Sequence, residues 1–264
     1  MQNHSISIHI DNEIAEITRV ADAVNYMARD LYISQRTVNE MNVVLDEVLS
    51  NIIQYGYESA GQQRIRIQLS LHEDRFCAVI EDDGKPFDPT KQHLPPLNAD
   101  AASRPIGGLG LHFVKALTDE ASYSRVGITN RLRVCKQIAA SGPSMVDDAF
   151  SFDVALQTGI AIIVVGGRLG SVNAATLHSR LLAIIADRAQ NVIVDLTNVS
   201  YVASAGFWAL LASRKKLDMV GGRLVLCGIK GEVGRLFDVI GLRDSFPIAV
   251  SLEAAVSMMI DSKK

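Results

Sequence analysis

The chain has 264 residues and a mass of 28.6 kDa, which fits two domains of roughly 100–150 residues better than one. Hydrophobic residues make up 48% and charged residues 21%, with a mean hydropathy of +0.17, so the chain can build packed cores and is not intrinsically disordered. A net charge of −3 and a pI near 6.1 offer no global positive field to nucleic acid or anionic lipid.

The N-terminus, MQNHSISIHIDNE, shows no basic region followed by an apolar one, and the longest apolar run, Gly159 to Gly167, is too short for a membrane helix. Cys77, Cys135 and Cys227 are odd in number, widely spaced and without a C-x-x-C pair, which predicts reduced apolar side chains. The expectation is a soluble cytoplasmic protein with no direct nucleic-acid or membrane partner.

In chain order, Ile6, Ile8 and Ile10 alternate as a strand. Asp11 is placed to cap a helix whose apolar positions are Ile14, Ile17, Ala21, Val24, Ala28 and Leu31. Thr37 with Glu40 fits a capping box ahead of Met41, Val44, Leu45, Val48, Ile52 and Tyr55, a second amphipathic helix. Strands follow at 64–71 and 76–81, then a Pro-containing loop from Pro86 to Ile106, a helix at 109–117 and a strand at 131–138. This pattern predicts helices on a largely antiparallel sheet. Residues 139–149 (AASGPSMVDDA) gather Gly, Pro, Ser and Asp and read as a linker between domains at 1–138 and 150–264. The second domain alternates strands at 152–156, 161–165, 192–196, 223–227 and 247–250 with helices at 174–189, 205–217, 231–240 and 252–260. That is a compact α/β unit with partly parallel central strands. Up to residue 140 there are 14 basic and 18 acidic residues; beyond it, 12 and 11.

Chemistry gathers in three places of the first domain. Glu47 and Asn51 are four apart and share a helix face beside the apolar stripe. An Asn oxygen is a hard ligand suited to Mg²⁺, and a carboxylate one turn away can deprotonate a hydroxyl. Asp82-Asp83-Gly84 follows a strand, and Gly107-Gly108-Leu109-Gly110-Leu111 opens a helix, where backbone N–H groups can approach phosphate oxygens. Each piece alone has an ordinary reading as a solvated helix face or a turn. Together, in this order, they point to a nucleotide.

The segments L45-D-E-V-L-S-N-I-I-Q-Y-G-Y57, I80-E-D-D-G-K-P-F-D-P89 and G107-G-L-G-L-H-F-V-K-A-L-T-D-E120 resemble the N box and the two glycine boxes of the GHKL ATPase superfamily. Within it they are most similar to the anti-sigma-factor serine/threonine kinases. The resemblance covers residues 5–138 and implies a two-layer α+β sandwich of the Bergerat type that binds ATP and Mg²⁺. It makes Glu47 the catalytic base, Asn51 the metal ligand and Asp82 the acceptor of the adenine amine, with Gly84 in the supporting turn. Gly107, Gly108 and Gly110, with Leu109 and Leu111, would cradle the phosphates under a lid at 90–106. Tyr55 stands where a His is frequent, and Pro86 replaces the last glycine of the first box. Only His4 and His9 precede the N box, both in or beside a strand, so no phosphoacceptor histidine of a histidine kinase is present there.

The second domain resembles STAS domains, the anti-sigma-factor antagonists, over about 150–262. The resemblance is carried by G167-R-L-G-S-V-N-A174, D195-L-T-N-V-S-Y-V-A-S-A-G206, G221-G-R-L-V-L-C-G228 and L236-F-D-V-I-G-L242. Ser204 falls on the family's phosphoacceptor; it also reads simply as a helix N-cap. The family often carries Asp immediately before that Ser and in the first turn, where this chain has Ala203 and Gly170. The two resemblances imply a bacterial partner-switching regulator that phosphorylates a serine of a STAS domain and so controls a sigma factor or phosphatase. The alternative is an ATP-sensing binding protein that sequesters such partners without catalysis. A homodimer fits either. A linker of about ten residues spans only about 16–19 Å as a flexible coil, which favours transfer between chains.

Overall fold

The structure is a computed structural model that describes residues 4–31, 33–58, 61–91, 108–138, 149–157, 159–186 and 191–261. They form two compact units, the first up to Ile138 and the second from Ala149. Residues 139–148 of the expected linker at 139–149, and residues 92–106 of the expected lid at 90–106, lie outside the described residues.

The first unit is a five-stranded, fully antiparallel sheet in the order β1-β2-β3-β5-β4, with β1 His4–Asp11, β2 Arg64–His72, β3 Arg75–Asp82, β4 Glu120–Val126 and β5 Thr129–Gln137. Ile6, Ile8 and Ile10 lie opposite Leu69, Ile67 and Ile65, so one face of the pleat is continuously apolar. Helix α1 (Ile17–Asp30) buries Ile17, Val20, Val24 and Met27. Helix α2 (Gln35–Tyr55) touches α1, α3 (Gly108–Leu117) and β5.

From Thr37 to Ser50 α2 is buried on every side, polar side chains included. A buried charge needs a partner, and Glu40 has one: Lys136 of β5 forms an ion pair with it. Lys136 Nζ also donates to the Leu117 carbonyl at the end of α3, 2.9 Å away. One ammonium thus joins α2, β5 and α3.

Several local expectations are corrected. Helix α2 is capped by Ser34, not Thr37: Ser34 is extended (φ −61°, ψ 144°) and its Oγ accepts the Thr37 N–H at 3.2 Å. The Thr37–Glu40 spacing imitates a capping box, but Glu40 is drawn to Lys136 and to Arg36. Asp11 stays in β1 opposite Arg64, and α1 begins after a short 3₁₀ turn at Ile14–Glu16 with no side-chain cap. Strand β4 was not foreseen, because an edge strand of sequence EASYSRV has little apolar alternation to reveal it.

The cysteines are a further correction. Cys77 and Cys135 lie directly opposite each other on β3 and β5, with Cα atoms 4.1 Å apart, and form a disulfide. Register brings them together across 58 residues of sequence, a proximity that spacing cannot disclose. The cysteine count therefore gives no support for a reducing compartment. Cys227 alone is free; burial, aided by the Asp195 carboxylate, pushes its thiol up to about 12.

The second unit has the order β10-β9-β8-β7-β6, from β6 Ser151–Gln157, β7 Ile160–Leu169, β8 Asn191–Val202, β9 Arg223–Cys227 and β10 Ile248–Ala249. Strands β7 to β10 pair in parallel and β6 runs antiparallel at the edge. The connecting helices are α4 Ser171–Ala186, α5 Ser204–Met219, α6 Gly231–Val239 and α7 Leu252–Asp261. Ile160, Ile162, Ile193 and Val225 form a core with Ala255 and Met259 of α7. The expected strand at 192–196 runs on: the polar stretch T197-N-V-S200 continues β8 as strand. Strand β7 accompanies them through two register shifts, to the pair Leu169–Val202. No described helix is long and apolar enough to cross a membrane.

Candidate nucleotide site

Helix geometry places Glu47 and Asn51 one turn apart on α2, and they bond: Asn51 Nδ2 donates to Glu47 Oε1 at 2.9 Å. Glu47 is only 4% exposed, whereas Asn51 is half-buried at the end of the enclosed stretch. With its amide nitrogen bonded to Glu47, Asn51 has a carbonyl oxygen to offer, the donor type that a hard cation takes. Tyr55, one turn on, is exposed.

The C-terminal end of α2 is tied to the Asp82–Gly84 turn. The Gly56 carbonyl accepts the Lys85 N–H at 2.7 Å. A Cβ on Gly84 would lie 2.6 Å from that same carbonyl oxygen and 2.8 Å from Asp82 Oδ1, so only glycine allows the approach. The turn bearing Asp82 is therefore held against the C-terminal end of the helix that bears Glu47 and Asn51.

Asp82 is buried and tightly held. Its Oδ1 accepts the Gly84 N–H at 2.8 Å and Asn130 Nδ2 at 2.9 Å. Asn130 also donates to the carbonyls of Gly84 and Lys85. Its own oxygen accepts the Tyr123 hydroxyl at 2.7 Å and Arg125 Nη1 at 2.5 Å, and Arg125 reaches the Gly84 carbonyl too. Burial raises the Asp82 carboxyl above its ordinary range, with the Asn130 and Gly84 bonds acting against that shift. Both of the bonds to Asp82 fall on Oδ1; no hydrogen bond to Oδ2 is formed among the described residues. Sequence reasoning missed Asn130, Tyr123 and Arg125, which stand on β4 and β5 about 40–50 residues downstream; their connection to Asp82 is made by strand pairing alone.

Of the expected phosphate cradle, Gly107 lies outside the described residues. Gly108 is the first residue of α3, and Leu109, Gly110 and Leu111 fall in its first turn. That is the position from which helix N–H groups face an anion.

In the second unit Ser204 is the first residue of α5 and only 8% exposed; the N-cap is Ala203, which has no side-chain cap bond. This corrects the N-cap reading of Ser204. The Ala203 N–H donates to the Leu169 carbonyl at 2.9 Å, and a Cβ on Gly206 would meet Leu169 Cγ at 2.7 Å. Gly170 accepts from Asn173 and Ala174 at the start of α4. The two positions where the resemblance leads one to look for Asp are thus neighbours in space, and neither carries a charge. An open groove of about 450 Å³ on the same unit is lined by Ser151, Gly166, Thr197, Asn198 and Ser200 among others, and no charged side chain lines it among the described residues.

Comparison with known proteins agrees with both units. The histidine kinase-like ATPase domain model matches residues 10–136 and the STAS domain model residues 151–255. A Bordetella bronchiseptica protein named as an anti-sigma factor antagonist is 36% identical over 99 residues, 38% of this chain and 85% of that protein. The chain belongs to the STAS family and carries a histidine kinase-like ATPase domain ahead of its STAS domain. An anti-sigma-B factor antagonist of Staphylococcus epidermidis is 33% identical over 82 residues, 31% of this chain and 76% of that protein. Among solved structures, an anti-sigma factor antagonist from Mycobacterium paratuberculosis is 24% identical and covers 43% of this chain and 97% of its own, with a TM-score of 0.40.

Proposed function

We propose that this chain is a partner-switching regulator whose ATPase-type unit transfers the γ-phosphoryl group of ATP to a serine of a STAS domain. The observation that supports the reading is the Gly56–Lys85 hydrogen bond, which ties the Asp82 turn to the C-terminal end of the helix that carries the bonded Glu47–Asn51 pair. In this reading Asp82 Oδ2 accepts from the adenine amine, and the first turn of α3 receives the phosphates. Asn51 would hold Mg²⁺, which when bound would neutralise phosphate charge. Glu47 accepts the proton of the attacking serine hydroxyl, and the rest of the catalysis is positioning. The STAS-type antagonist itself, a sigma factor or a phosphatase are the partners this activity would serve.

A second reading is supported by one feature. Ser204 is buried at the start of α5 and lacks flanking acids, as suits a docking module that binds a partner without being phosphorylated. Mixing two variants separates the readings and tests transfer between chains. A Glu47→Ala chain and a Ser204→Ala chain, incubated together with Mg²⁺ and ATP, are expected to yield phosphate on Ser204 of the Glu47→Ala chain. Labelling of Ser204 in the parent at a rate independent of protein concentration, with none in the mixture, would show transfer within one chain. No labelling in either would leave the docking module.

A further inference from the structure

Tyr57 is not part of the site as built above. It directly follows Gly56, the C-cap residue of α2 whose carbonyl holds Lys85, and so stands beside the Asp82–Gly84 turn. Its ring is half-buried, yet its hydroxyl is fully enclosed and has no hydrogen-bond partner among the described residues. Folding leaves such groups unpaired rarely, because an enclosed hydroxyl without a partner forfeits the hydrogen bonds that water would have given it. Among the described residues, no hydrogen bond of the fold uses this hydroxyl. Burial, together with the Asp82 and Asp83 charges, pushes it up to about 12, so it stays protonated and able to donate.

Resting on the ATP reading given above, we propose that Tyr57 is a specificity-determining residue whose hydroxyl donates to a ring nitrogen of the purine whose amine Asp82 accepts. The pairing follows from the inventory of groups. Asp82 presents an acceptor, with Oδ1 already engaged and Oδ2 left over, and Tyr57 presents a donor at the same turn. Adenine offers the complement, an exocyclic amine flanked by unprotonated ring nitrogens. Guanine has a carbonyl in place of that amine, and its oxygen would face the Asp82 carboxylate. A site built to hydrogen-bond an edge rejects the edge that leaves its groups unpaired.

The test is calorimetric titration of the full chain with Mg²⁺ and ATP, 1-deaza-ATP or 7-deaza-ATP, for the parent and for Tyr57→Phe. The phenylalanine keeps the ring and removes only the unpaired hydroxyl. ATP should bind Tyr57→Phe about 3–15-fold more weakly, the scale of one neutral hydrogen bond, while the thermal midpoint of the nucleotide-free variant is unchanged or higher. One of the two deaza analogues should lose a similar factor on the parent and nothing further on Tyr57→Phe. Equal ATP affinity in parent and variant overturns the proposal. So does an intact response of the parent to both analogues, which needs no variant to fold. A lower midpoint with unchanged ATP affinity would make Tyr57 a structural residue only. If the parent itself binds no ATP, the nucleotide reading falls and this inference with it.

Discussion

Glu47→Ala is expected to bind Mg²⁺ and ATP almost as the parent does and to transfer the phosphoryl group roughly 10²–10⁴-fold more slowly, the usual scale for a positioned base. The side chain is enclosed within α2 and held by Asn51, an orientation that a merely solvated helix carboxylate would not have. Alanine favours the helix, so α2 should persist. Single-turnover transfer measured beside calorimetric affinity separates the two effects. A parental transfer rate in Glu47→Ala would make the carboxylate structural. A loss of affinity matching the loss of rate would move it from proton transfer to nucleotide binding.

Asp82→Asn carries the next largest effect, a loss of about 1.5–3 kcal/mol in ATP affinity, or roughly 10–150-fold. An amide oxygen can still accept from Gly84 and Asn130, so the turn is kept, but an amide nitrogen would then face the adenine amine, donor against donor. Stability should move the other way. Burial raises the folded-state pKa of Asp82, so the native state holds this proton more tightly than the unfolded chain. The associated stability is present below the ordinary Asp range and is lost as pH rises through the raised folded value. At pH 7 the parent bears the whole cost of the buried charge and Asp82→Asn does not. Denaturant unfolding without nucleotide should show the variant as stable as the parent or more so at pH 7, with the advantage shrinking in acid. Unchanged ATP affinity would remove Asp82 from the base pocket.

The parts of this site that sequence disclosed are those encoded locally. Glu47 and Asn51 are linked by the helical period, Asp82 and Gly84 by a two-residue turn, and Gly108 and Gly110 by the start of a helix. Apolar alternation at Ile65, Ile67 and Leu69 and at Ile6, Ile8 and Ile10 revealed the core face of the sheet. What stayed hidden was set by strand register. Asn130 meets Asp82, and Cys135 meets Cys77, only because β5 pairs with β3. Lys136 draws Glu40 out of the capping role its spacing suggested, and β7 lengthens β8 through a stretch whose composition reads as a turn. Local chemistry was legible where neighbours in the chain are neighbours in space, and illegible where a partner arrives from another strand.

Whether the ATPase-type unit is a kinase for a STAS serine is decided by mass-spectrometric localisation of phosphate on the full chain after incubation with Mg²⁺ and ATP. Phosphate is expected on Ser204 and absent from Glu47→Ala incubated alone. ATP bound with the parental chain unphosphorylated, and no phosphate passed to an added STAS-domain antagonist, would contradict it.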